Sequence, residues 1–342
     1  GKQSTDPKRK RRMDAEPAHL RLLAYSRPDT FQMHEDRNIL VPMRDGYPLT
    51  CDLYRPGLAD GTAAPGKFPS IVLNFTPYGR TNYSPYQNDL RHFAKKGYNT
   101  IWCNARGAQG IGGTSPAPNS IGPVSPFQLQ DQTDNYDLIE WLAARPWSTG
   151  RIGQIGTSYG GISTFLVAGR QQPPSLKAII PIQGMTNVYR HFPYPGGIRA
   201  VGRLRGTWVL GCSNLTGETT CSDRIAQQWA AHPLFDSYWQ DQRADPANIT
   251  AATLVVGGFK DVFIEGVEAI PPALAARDDF AILLGPWDHS VPENNPNNPL
   301  PEGVYLAWFD RWLRGEAVPH FPKVIAYEMP EASMQSDQFR TF

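Results

Sequence analysis

Residues 152–163 read Ile-Gly-Gln-Ile-Gly-Thr-Ser-Tyr-Gly-Gly-Ile-Ser (IGQIGTSYGGIS), and their reading decides the fold. An apolar run enters, a small serine stands between glycines, and a second apolar run, TFLVAG, leaves. Gly156-Thr157-Ser158-Tyr159-Gly160 is G-x-S-x-G, and the flanks place it at a strand–turn–helix junction. On such a turn the serine hydroxyl projects above the sheet edge, and glycines at 156 and 160 let strand and helix pack closely. The helix behind aims its N-terminal amides at the same place, so the Tyr159 N–H is a candidate oxyanion donor.

Working outward, the rest of the chain supplies the frame that this turn needs. NILVPM (38–43) and YPLTCDLY (47–54) read as two strands joined at a hairpin-type turn, Arg44-Asp45-Gly46. SIVLNF (70–75) and NTIWCN (99–104) are apolar runs without alternation, as strands buried on both faces require. Between them DLRHFAKKGY reads as helical, with Gly97 as its C-cap. Residues 130–144 place apolar side chains at Tyr136, Ile139, Leu142 and Ala143, a helical period. KAIIPIQ (177–183), TLVVGG (253–258) and FAILLGP (280–286) are further strands, and EGVYLAWFDRWLRG (302–315) is a further helix. Strand–helix alternation of this kind predicts an α/β fold: a mostly parallel central sheet with helices on both faces. Residues 185–250 interrupt it with aromatic, proline-rich and polar sequence, an insertion into the core.

A serine needs a base, and the base needs an orienting carboxylate; on this architecture the order is Ser, acid, His. Of seven histidines, His191, His232, His289 and His320 follow Ser158. His191 and His232 fall in the insertion and His320 in a proline-flanked final segment. His289 follows a strand, in Gly285-Pro286-Trp287-Asp288-His289-Ser290, and is the expected base. Asp261 follows the preceding strand and is the expected acid. Asp278 and Asp279 precede a strand, and Asp288 adjoins the base too closely to reach its Nδ1. The loop after SIVLNF reads Thr76-Pro77-Tyr78-Gly79-Arg80, and the Tyr78 hydroxyl is either a second oxyanion donor or a packing aromatic.

Bulk properties exclude other classes. With 33 basic and 32 acidic side chains the net charge is +1, which provides no drive toward nucleic acid or acidic membranes. No uncharged apolar run reaches the roughly 18 residues of a transmembrane helix, and the start, GKQSTDPKRKRR, has no apolar signal region behind it. KRKRR reads as a solvated tail, with a nuclear or nucleic-acid signal as the minority reading. Four cysteines lack metal-site spacing. Cys51 and Cys103 sit in apolar strands and read as buried free thiols; Cys212 and Cys221 flank SNLTGETT and could close a ring, which would place the chain in an oxidising compartment. Otherwise the expectation is cytoplasmic. No cofactor or metal is called for, and the expected partner is a small-molecule ester or amide, with homo-oligomerisation open.

VPMRDGYPLTCDLYRP (41–56), FTPYGR (75–80), IEWLAARPWSTGRIGQIGTSYGG (139–161), YPGG (194–197), GPWDHS (285–290) and AWFDRWLRG (307–315) together resemble the cocaine-esterase/X-Pro dipeptidyl-peptidase family of α/β-hydrolase serine hydrolases, which includes the α-amino-acid ester hydrolases. The resemblance implies Ser158, Asp261 and His289 as triad and the Tyr78 hydroxyl with the Tyr159 amide as oxyanion hole. It makes Met185 to about Thr250 a helical cap that shapes the acyl pocket, with Tyr189, Tyr194 and Trp208 as candidate substrate contacts. The implied organisation is an N-terminal arm (1–36), a core in two parts (37–184 and 251–317), the cap (185–250), and a segment (318–342) where relatives begin a β jelly-roll. Two departures stand out: Asn104 replaces the family's usual Asp, and the glycine spacing after Arg106-Gly107 is altered.

The expected activity is ester hydrolysis through an acyl-enzyme. Acyl transfer or cyclisation, an X-Pro-type aminopeptidase, and a non-catalytic binding protein on the same fold are the alternatives. The cap carboxylates Glu218, Asp223, Asp236 and Asp241 read as solvated rather than as an amino-terminus clamp.

Overall fold

The structure is a computed structural model and describes residues 17–80, 89–108, 126–200, 221–328 and 338–341. In chain order its elements are α1 (Ala18–Leu23), β1 (Gln32–Pro42), β2 (Pro48–Gly57), β3 (Phe68–Thr76), β4 (Asn99–Asn104), α2 (Leu129–Ala143), β5 (Ser148–Thr157), α3 (Tyr159–Leu166), β6 (Leu176–Ile182), α4 (Val188–His191), α5 (Cys221–Ala231), α6 (Ser237–Gln240), β7 (Ala252–Gly258), α7 (Ile264–Glu268), α8 (Pro271–Leu274), β8 (Phe280–Gly285), α9 (Gly303–Phe309), β9 (Val324–Glu328) and β10 (Gln338–Thr341). The stretch expected to be helical before Gly97 is a 3-10 helix over Arg91–Lys96, and Gly97 does close it in the left-handed region. Apolar runs without alternation become strands buried along their whole length, as in β4 and β7.

The strands form one sheet in the order β1-β2-β4-β3-β5-β6-β7-β8-β9-β10. Pairing is parallel from β4 through β9 and antiparallel only at β1–β2, β2–β4 and β9–β10. One face packs Ile71, Leu73, Ile155, Ile180 and Leu254 against Phe309 and Leu313 of the segment after β8. The other packs Val72, Phe75, Ile152 and Val255 against Leu138, Ile139 and Leu142 of α2. Because β3 continues into β4 on one side while β5 lies on its other side, the strand order reverses between β3 and β5. Ligands of open α/β sheets bind in the crevice outside the strands' carboxyl ends at such a point, and the loops leaving β3 and β5 carry Tyr78 and Ser158.

One feature differs from the sequence reading, and two others add to it. Cys51 and Cys103, expected as free thiols, are joined in a disulfide. The cause is the order β2-β4: the two residues are direct antiparallel partners with Cα atoms 4.1 Å apart, the narrow spacing of a cross-strand pair. The described part of the N-terminal arm is tied to the core, since the Tyr25 hydroxyl (2.8 Å) and the Arg27 Nε (2.9 Å) both donate to the buried carboxylate of Asp310. Finally, Val324–Glu328 within the C-terminal segment is a sheet strand, paired parallel with β8. Cys212, Trp208, Glu218, the KRKRR tail and the altered glycine spacing at 109–114 lie outside the described residues.

Candidate active site

The site begins with backbone geometry. At the end of β5 the chain turns directly into α3 through Ser158, which has φ 59° and ψ −117°. A positive φ is sparsely populated by any residue with a Cβ and stores strain. It is held there by Ser158 N–H donating to the Ile182 carbonyl (3.0 Å) and by the Ile162 N–H returning to the Ser158 carbonyl (2.9 Å). A Cβ on Gly156 would sit 2.7 Å from Gly160 Cα, a collision between two backbones with no flexible side chain to yield. At Gly160 the fit is tight rather than impossible, at 3.3 Å; the second hard collision belongs to Gly161, against the Ile182 carbonyl oxygen. The glycines are there so that β5, α3 and β6 approach one another.

His289 and Asp261 come from adjacent loops locked together by backbone. The Phe259 N–H donates to the Gly285 carbonyl (2.9 Å) and the Lys260 N–H to the Trp287 carbonyl (3.0 Å). Trp287 is fully buried and its indole N–H donates to the Asn298 carbonyl at 2.7 Å, which pins the histidine loop. The Gln183 side-chain amide, after β6, reaches the Asp288 carbonyl at 2.5 Å. In this frame His289 Nδ1 lies 2.6 Å from Asp261 Oδ1, and His289 Nε2 lies 2.7 Å from Ser158 Oγ. A carboxylate only accepts, so the proton sits on Nδ1 and Nε2 is left to accept from the serine hydroxyl. Asp261 is 4% exposed and Ser158 6%; water is thereby largely kept from the charge that would develop. Asp288 uses its carboxylate on the Ser290 hydroxyl (2.7 Å).

The Tyr78 hydroxyl stands 3.3 Å from Ser158 Oγ. Its loop is anchored two residues on: the buried Arg80 guanidinium pairs with the buried Asp52 of β2 and donates to Asn38 Oδ1 at 2.8 Å. Tyr159 opens α3, so its amide lies at the helix's N-terminal end beside Ser158. The Tyr159 ring packs 4.4 Å from Phe127 and edge-on to Tyr78 at 6.1 Å.

A buried aromatic cluster backs the base, with Phe192 and Trp229 from the insertion and Phe263 from the loop after β7. The Phe263 ring meets His289 edge-on at 4.8 Å, Phe192 meets Phe263 at 5.6 Å, and Trp229 meets Phe192 at 5.5 Å. Tyr189 and Tyr194, the candidate substrate contacts, stack on each other at 4.8 Å within this aromatic cluster. Their hydroxyls go to the Pro233 (2.9 Å) and Trp229 (2.8 Å) carbonyls. No hydrogen bond or ring contact joins either to Ser158 or His289 among the described residues. Asp236 holds His232 at 2.7 Å and Asp241 pairs with Arg170. Asn104 is buried at the end of β4. Phe127, Asp131 and Phe263 were not singled out from sequence. Asp131 does have a signal: it shares the 3–4 spacing of Asn135, Leu138, Ile139 and Leu142 and so falls on the buried stripe of α2.

A serine on a strand–helix turn, with a histidine and an aspartate in the loops after later strands of a parallel sheet, defines the α/β-hydrolase fold. Within that class the chain belongs to the X-Pro dipeptidyl-peptidase (S15) family, matched over residues 45–220 and 211–291. It is 27% identical over 353 residues to a cocaine esterase of Rhodococcus sp. (strain MB1 Bresler), covering 85% of this chain and 58% of that one. Among solved structures it is similar to a CocE/NonD family hydrolase from Staphylococcus aureus (TM-score 0.69, 22% identity, 90% of this chain and 55% of that one). It is also similar to an α-amino acid ester hydrolase (TM-score 0.65, 19% identity, 100% of this chain and 61% of that one). The chain thus spans rather more than half the length of these relatives.

Proposed function

We propose that this chain hydrolyses carboxylic esters through an acyl-enzyme on Ser158. The observation that carries the reading is the unbroken relay from Asp261 Oδ1 to His289 (2.6 Å) and from His289 Nε2 to Ser158 Oγ (2.7 Å). Ser158 Oγ attacks the ester carbonyl while His289 Nε2 takes its proton, and Asp261 holds the ring in the required tautomer and balances the imidazolium. The Tyr78 hydroxyl and the Tyr159 amide receive the tetrahedral oxyanion. His289 then protonates the leaving alkoxide; water, deprotonated by the same nitrogen, attacks the acyl-enzyme and releases the acid. The buried Cys51–Cys103 disulfide favours an oxidising compartment over the cytoplasm.

Labelling with a fluorophosphonate and peptide mapping by mass spectrometry tests the reading. The expected result is one adduct, on Ser158, whose rate of formation collapses in His289→Ala. An adduct elsewhere, or a rate indifferent to His289, refutes it.

A further inference from the structure

Tyr159 has two working ends. Its amide opens α3 beside Ser158, while its hydroxyl points into the core and donates to Asp131 Oδ2 at 2.9 Å. The Phe127 amide donates back to that hydroxyl at 3.4 Å. Asp131 is 7% exposed, and among the described residues no cation pairs with it. The Arg106 guanidinium, one turn along α2 at Asp134, is taken by a bidentate pair with that carboxylate (2.8 and 2.7 Å) and by Asp45. A buried carboxyl without a cation is costly, and packing alone would be met by a phenylalanine at 159 facing an apolar residue at 131. This chain instead pairs a phenol with a carboxyl, and the Tyr159 ring meets Tyr78 edge-on on the side of the site.

We propose that Asp131 is a positioning residue of the oxyanion site: by gripping the Tyr159 hydroxyl from α2, it sets the Tyr159 amide and, through the ring contact, the Tyr78 hydroxyl. The inference rests on the assignment of Ser158 as nucleophile and of Tyr78 and Tyr159 as oxyanion donors.

It carries a consequence for pH. Burial first, and the neighbouring Asp134 charge after it, push the Asp131 carboxyl up to about 8, against the pull of the Tyr159 hydroxyl. Burial raises the Tyr159 phenol well above its ordinary value, so it remains a neutral donor while Asp131 titrates. The groups facing Asp131 are Tyr159 on α3, the Phe127 amide ahead of α2, and Asp134 on its own helix with Arg106 and Asp45 behind it. Below the transition the carboxyl is neutral. Above it a buried negative charge at the far end of Tyr159 opposes the negative charge gathering on the substrate oxygen.

The experiment is the pH dependence of kcat and KM for a p-nitrophenyl ester, from about pH 6 to about pH 10, for the wild type, Asp131→Asn and Tyr159→Phe. In the wild type, kcat falls at least ~3-fold through a transition near 8 that is absent from KM. Both variants lose that limb, and Asp131→Asn, which still offers an acceptor, retains more activity than Asp131→Leu. The proposal is overturned if the limb survives in Asp131→Asn, or if Asp131→Asn scales kcat and KM equally at every pH. Should these variants not fold, difference infrared spectra of the wild type decide. A protonated-carboxyl band lost in step with kcat supports the proposal, and a band that does not titrate there overturns it. Failure of the underlying assignment looks different: Ser158→Ala would then keep its turnover, whereas an essential Ser158 with an unchanged limb in Asp131→Asn removes the positioning role alone.

Discussion

Replacing Ser158 by glycine and by alanine should invert the usual order of stability. Both variants lose the hydroxyl, so the contacts to His289 (2.7 Å) and Tyr78 (3.3 Å) cancel in the comparison. What remains is backbone. At φ 59° and ψ −117° a residue with a Cβ carries strain of order 1–3 kcal/mol, which glycine does not. Against this, glycine costs about 0.5–1 kcal/mol through the greater freedom of its unfolded chain. With strain near the middle of its range, Ser158→Gly is more stable than Ser158→Ala by about 1 kcal/mol, or about 2 °C in Tm for a chain of this size. Urea unfolding of the two proteins side by side measures the difference. Ser163, five residues on in regular α3 helix, provides the control pair: there Gly should be less stable than Ala by about 1 kcal/mol. If Ser158→Gly also falls below Ser158→Ala, the elbow is not strained and the account of its geometry is wrong.

Three further outcomes follow from the site. Tyr78→Phe keeps the ring contact with Tyr159 but removes one oxyanion donor, and should lower kcat by about 10²-fold with little change in the ester KM. Arg80→Met leaves Asp52 buried with Arg37 (3.5 Å) and the Asn38 amide (2.9 Å) as its remaining partners among the described residues, and should cost about 3 kcal/mol in urea unfolding; adding Asp52→Leu should recover part of it. Asp131 has a folded-state pKa raised from the ordinary carboxyl range to about 8, so its proton stabilises the fold fully below about pH 4 and that contribution is lost as pH rises through 8. Asp131→Asn lacks the term, and its stability relative to wild type should therefore improve by several kcal/mol between about pH 5 and about pH 9.

The parallel core was legible because strands buried on both faces must be apolar throughout, and runs such as SIVLNF and TLVVGG leave no other economical placement. The positions expected for base and acid were legible for a related reason. Once Ser158 is fixed at the end of one strand, groups able to meet it have to leave the same sheet edge; Asp261 and His289 stand after later strands, and Asp288 adjoins the base too closely to orient it. Pairings that depend on strand order were not legible. Cys51 and Cys103 lie 52 residues apart and become neighbours only because β4 inserts between β2 and β3. β9 is five residues long and its sequence, Val-Ile-Ala-Tyr-Glu, is apolar until its last residue, so no polar–apolar alternation separates it from loop. Asp131 was hidden because an acidic residue in the first turn of a helix has an ordinary explanation in the helix dipole; only the buried stripe it shares with Leu138 and Leu142 gives it away.

The central claim is that Ser158 and His289 act as one unit on a carbonyl. The most direct measurement is steady-state hydrolysis of a p-nitrophenyl ester by wild type, Ser158→Ala, His289→Ala and the double variant. The account predicts a loss of at least ~10³-fold in kcat for each single variant and no appreciable further loss in the double, since a unit broken once has nothing more to lose. Near-wild-type turnover in either single variant, or losses that multiply in the double, would contradict it.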